Sequence, residues 1–118
     1  MPLDERDAGS LLDMLAFARE AIDIRRGRDR EAFDASREFR RAAERMVELV
    51  GEAARRVSPA TRARYAVVAW ADIVGTRSVI AHDYGRIEYD IVWTVLSEDI
   101  PRLIAQLEPI VAALPPPD

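Results

Sequence analysis

A chain of 118 residues with 49% apolar and 32% charged side chains can bury a core of its own, and it is too rich in aliphatic residues to stay unfolded. A formal net charge of −4 argues against a surface that binds nucleic acid everywhere, and the lack of cysteine excludes disulfides, thiolate metal sites and cysteine nucleophiles. No apolar run approaches the ~20 residues that cross a bilayer, and the acidic start (Asp4, Glu5, Asp7) is unlike an export signal, so a cytoplasmic protein without membrane contact is the expectation.

The first predicted helix runs from about Asp7 to Arg26. Leu12, Leu15, Arg19 and Ile22 form one row, with Leu11 and Ala18 beside it, and Gly27 supplies a left-handed stop. Arg25, Arg26, Arg28 and Arg30 then cluster, followed by Arg37, Arg40, Arg41 and Arg45; all seventeen basic residues of the chain are arginines. Acids lie among them (Glu20, Asp23, Asp29, Glu31, Glu38, Glu44), which favours a solvated face over an RNA-contacting stripe.

Arg28 to Phe33 reads as a polar connection, and Asp34 or Ser36 as the cap of the second helix. That helix has the clearest period in the chain, with Phe39, Ala43, Met46, Val50, Ala53 and Val57 alternating spacings of four and three. The small residues Gly51, Ala53 and Ala54 permit close approach of another backbone. Ser58-Pro59 ends the helix and can cap a short one.

A third helix is predicted from about Ala69 to Asp83, with Gly85 as its stop, and a fourth from about Ile87 to Leu114, which Pro101 should kink or split. No strand is predicted. The expected class is all-α: an antiparallel bundle of four to five helices with a kinked last helix, forming one domain over 1–118.

The segment Arg77-Ser78-Val79-Ile80-Ala81-His82-Asp83-Tyr84 holds the only histidine. Arginine binds phosphate oxygens through a planar fork, and histidine moves protons near neutral pH. Residues five apart on one helix diverge by about 140°. Arg77 and His82 therefore converge only if the helix ends near His82 or if two copies share residues across a dimer. On spacing alone, a single histidine beside Asp83 is more often a structural hydrogen-bonding group, and Tyr84 is more often an aromatic at a bundle end. Asp83 is a weak candidate to orient His82, because adjacent helical residues diverge.

This segment is similar to the Arg-x4-His-x-Tyr signature of the HepT-like toxins of the HEPN superfamily. The flanks are similar too: Glu48 to Ala54 resembles the family's Gly-Glu-Ala-Ala helix, Trp70 to Gly75 its tryptophan-led run, and Ile91-Val92-Trp93 with Asp99 to Leu103 its last helix. The likeness runs collinearly from about Leu12 to Leu107. Two departures stand out. Ser78 replaces the asparagine or other polar residue that commonly follows the arginine, and Ala66-Val67-Val68-Ala69 replaces a proline-rich approach to the tryptophan.

The resemblance implies a HEPN-like domain acting as a homodimeric, metal-independent endoribonuclease toxin, with RNA and not DNA as substrate and with no cofactor or metal. Arg77 and His82 would be catalytic, with Ser78 and Asp83 in support. A minimal nucleotidyltransferase antitoxin would neutralise the toxin by AMPylation of Tyr84. The alternative is a non-catalytic HEPN subunit that binds nucleotide or docks the nucleotidyltransferase.

Overall fold

Helices form every regular element among the residues that the computed structural model describes, which are 3–81 and 89–115, with 76–81 described as backbone alone; no strand occurs among them. The all-α expectation holds. Four long pieces make the bundle, as the periodicity predicts, and two short helices join them.

Helix α1 (Glu5–Arg25) starts at Asp4, whose carboxylate accepts the Arg6 N–H at 2.8 Å, and Glu5 and Asp7 in its first turn suit the helix dipole. It ends where predicted, with Gly27 at φ 74°. Its buried face differs from the predicted row: Leu11, Met14, Leu15, Ala18 and Ala21 are inside, while Leu12 is 50% exposed. At about 100° per residue, Met14, Leu15, Ala18 and Ala21 all lie within roughly 80° of Leu11, whereas Leu12 falls about 100° to one side, outside that arc.

Helix α2 (Arg30–Ala35) occupies the stretch predicted as a polar connection. Asp29 caps it by accepting the Ala32 N–H at 2.9 Å, and Phe33 is fully buried. The charged residues around Phe33 conceal a helix too short to show a period.

Helix α3 (Arg37–Arg55) begins at the predicted Ser36, whose hydroxyl accepts the Phe39 N–H at 3.1 Å. Its seam is buried as expected, except that Val47 lies inside where Met46 was predicted, and Met46 is partly covered. Helix α4 (Pro59–Arg64) is capped by Ser58. The Arg62 guanidinium reaches back to donate to the carbonyls of Val57, Ala54 and Arg55, satisfying acceptors left open at the end of α3.

Asp7 locks the start of α1 to this corner. It is 4% exposed, and its carboxylate accepts from the Ser58 N–H at 2.9 Å, the Ser58 hydroxyl at 2.6 Å and the Thr61 hydroxyl at 2.6 Å. Burial alone would raise its pKa. The hydrogen bonds from Ser58 and Thr61 outweigh that, and Asp7 lies below the ordinary carboxylate value.

Helix α5 (Trp70–Ala81) follows a tight turn, and α6 (Tyr89–Thr94) is joined to α7 (Ile100–Ala112) by a π-helical turn over Val95–Asp99. The predicted break falls beside Pro101. The Ile100 N–H reaches the Val95 carbonyl, and Pro101, which has no N–H, opens α7 in a first-turn position. Helix α1 lies against both α3 and α7, and α5 packs on α3. The Asp7–Ser58 contact makes α1 antiparallel to α3. Arg25 lies on Trp93 and Arg19 pairs with Glu108 at 3.8 Å, which makes α1 antiparallel to α7.

Candidate functional site

The start of α5 is fixed by polar contacts. The Trp70 N–H bonds to the Val68 carbonyl at 2.9 Å, its indole N–H to the Tyr65 carbonyl at 3.1 Å, and the Gln106 side chain to the Val67 carbonyl at 3.1 Å. Trp70 is buried, and Ile73 and Val74 pack against the core one turn on. The helix is thus seated on α3 before its backbone reaches Arg77 and Ser78, one turn beyond Ile73 and Val74. The side chains of Arg77 and Ser78, and the whole of His82, Asp83 and Tyr84, lie outside the described residues.

A cavity of about 110 Å³ sits beside the first half of α5. Val47, Val50, Ile73, Val95 and Leu103 form its apolar wall, and Asp72 stands at its edge. The π-helical turn supplies one side of this cavity, consistent with the tendency of such turns to border functional sites.

The next described residue after the motif segment is Tyr89, and it belongs to a ring cluster that the sequence reading missed. Phe33 meets Phe39 at 5.2 Å between centroids and Tyr89 at 6.0 Å, both edge-on, and Trp93 at 5.1 Å in a tilted contact. Four arginines lie on these rings: Arg25 over Trp93 at 4.8 Å, Arg28 over Phe39 at 4.8 Å, Arg30 over Phe33 at 5.7 Å and Arg40 over Tyr89 at 5.2 Å. Such contacts hold a guanidinium without neutralising it.

The four are not equivalent. Arg30 pairs with Asp34 at 2.8 Å and Asp90 at 2.5 Å, which raises its pKa further through hydrogen bonds to Asp90 and Asp34. Arg40 donates to the carbonyls of Phe33 and Asp34. Among the described residues no carboxylate pairs with Arg25 or Arg28, and the Arg25 Nε has no hydrogen-bond partner. The arginine run is therefore a solvated, acid-paired face only in part. The signal that could have exposed this lay in Phe33 and Phe39 inside the run and in Tyr89 and Trp93 at i and i+4.

The fold and the segment together define a class. The profile of the family described as Ribonuclease HepT-like matches residues 14–110, and the chain belongs to that family, within the HEPN superfamily. It is similar to a protein of Methanocaldococcus jannaschii named as a candidate RNase, 30% identical over 107 residues, covering 90% of this chain and 98% of that one. A second candidate RNase of the same organism is 26% identical over 113 residues, covering 95% of this chain and 97% of its own. A candidate RNase of Caldanaerobacter subterraneus subsp. tengcongensis is 33% identical over 70 residues, covering 59% of this chain and 62% of its own. No solved structure matches.

Proposed function

We propose that the chain is an endoribonuclease that cuts RNA without a metal ion, acting as the toxin of a toxin–antitoxin pair. The observation that carries this reading is the ordered run Arg77-x4-His82-x-Tyr84, set on and just after a core-seated helix in a chain of the Ribonuclease HepT-like family. Cleavage begins when a ribose 2′-hydroxyl attacks the adjacent phosphorus. The bond to the 5′-oxygen breaks, a 2′,3′-cyclic phosphate forms, and a proton must leave the nucleophile and reach the departing oxygen. His82 moves that proton as general acid or base. Arg77 clamps the phosphate and stabilises the negative charge that builds on its oxygens. Asp83 and Ser78 support the two by hydrogen bonding.

Neutralisation is assigned to a minimal nucleotidyltransferase that transfers AMP from ATP to the Tyr84 hydroxyl with release of pyrophosphate. The added phosphate brings negative charge and bulk to a site built for a phosphodiester, so RNA is excluded. The active form is a homodimer whose two protomers meet around the motif segments.

The test is RNA cleavage in the presence of EDTA, paired with growth arrest on expression. His82→Ala should lose about 10²–10⁴-fold in cleavage rate, and Arg77→Lys should also lose most activity, because charge without the fork is insufficient. Wild-type protein that leaves RNA intact while still binding nucleotide or the nucleotidyltransferase would instead establish a docking subunit, the alternative that Ser78 keeps open. Tyr84→Phe should remain toxic and escape the antitoxin, with no AMP found on it by mass spectrometry.

A further inference from the structure

We infer that the corner built by Arg25 and Arg28 is a docking subsite for the backbone phosphates of single-stranded RNA, built from residues outside the motif segment. The inference rests on the ribonuclease reading and extends it to where the substrate strand runs. The corner is an open hollow of about 500 Å³ lined by Arg25, Arg26 and Arg28 and by Asp29, with Ile22 and Ala32 beside them. That volume lies within the range of small-ligand clefts.

Its charge is arranged for an incoming anion. Arg26 is paired with Asp23 at 2.9 Å, and the Asp29 carboxylate is engaged in capping α2, whereas Arg25 and Arg28 are supported by Trp93 and Phe39 and by no acid among the described residues. A ring face fixes the guanidinium plane; the Arg25 Nε is buried, so that residue can offer only its terminal nitrogens to phosphate oxygens, whereas Arg28 is exposed. Phe33 and Phe39 are buried to 2% exposure or less and offer no face to a base, whereas Tyr89 and Trp93 are only partly covered. The two guanidinium groups are what the corner offers to an anion.

Arg30 is tied to Asp90 and Arg40 lies on Tyr89, so the corner is fastened to the start of α6. Tyr89 is five residues along the chain from Tyr84. In a chain of net charge −4, a local cationic site is what holds a polyanion in place.

The test is fluorescence polarisation with a labelled single-stranded RNA of mixed sequence, using His82→Ala protein so that the probe survives, across a series of salt concentrations. Arg25→Gln with Arg28→Gln should weaken binding at least about tenfold and flatten the log–log salt slope by roughly 1.4, the value for two phosphate contacts on a single strand. Arg28→Lys alone should keep most of the slope. Arg19→Gln, which removes an arginine paired with Glu108 on the outer side of α1, should change neither quantity. Circular dichroism of each variant checks that α1 and α6 remain folded. Unchanged affinity and slope in the double variant would overturn the inference, and so would a loss confined to binding of the nucleotidyltransferase. Normal cleavage by otherwise wild-type protein in either case leaves the ribonuclease reading standing. Failure of wild type to cleave, with salt-sensitive binding lost in the double variant, would instead remove the ribonuclease reading and keep the subsite.

Discussion

At the scale of single residues, Asp7 shows how one carboxylate can hold a corner. Its folded pKa is depressed, so its contribution to stability is complete above the ordinary carboxylate value and is lost as the pH falls through the depressed one. Asp7→Asn should cost about 1–3 kcal/mol near pH 7, because charge-assisted hydrogen bonds from Ser58 and Thr61 are weakened inside the protein. Denaturant titrations at neutral and acid pH would check this: the gap between variant and wild type should close in acid, and a constant gap would contradict the assignment. Nothing in the sequence announced the clasp, since Asp7 and Ser58 are 51 residues apart and each has an ordinary capping or helix-start role. The Arg77, His82 and Tyr84 motif is a signal of the opposite kind, although its side chains lie outside the described residues. Its spacing is fixed along a short stretch of chain, and local order is what a sequence displays.

At the scale of elements, capping and periodicity carried the reading well where helices were long. Ser36, Ser58 and Gly27 stand where the chain turns, and the α3 seam is inside. The errors fell on α2, whose six residues are fewer than two turns, and on the rotation of α1, where Leu11 and Leu12 compete for one face. The ring cluster escaped because its members come from α2, α3 and α6, and only tertiary packing joins them. Helix α7 offers a direct test of proline physics. Pro109 is exposed within it and cannot donate to the carbonyl one turn back. Pro109→Ala should raise stability by about 1–2 kcal/mol, less than the full ~3 kcal/mol difference in helix propensity, because the unfolded chain also gains freedom. A thermal melt that shows no rise would mean that the proline ring makes packing contacts worth as much as the missing bond.

At the scale of the whole molecule, the geometry of residues five apart makes the site a question of assembly. Should Arg77 of one protomer serve His82 of the other, co-expressed Arg77→Ala and His82→Ala chains would form mixed dimers holding one intact site. Random pairing should then return roughly a quarter of wild-type cleavage, whereas no recovery would place each site within a single protomer. Among the described residues no helix is long and apolar enough to cross a membrane, and the bundle's length is carried mainly by α1, α3 and the α6–α7 rod. That rod has to serve two ends at once: Trp93 reaches the arginine corner while Leu103, Leu107 and Ile110 sit in the core. The π-helical turn between them stores one residue of slack. Shortening Val95–Asp99 by one residue, together with Pro101→Ala, would let the rod close into a plain α-helix with both ends still in phase. The same deletion one turn further along, between Leu103 and Leu107, would swing everything beyond it by about 100° and turn the core face toward water.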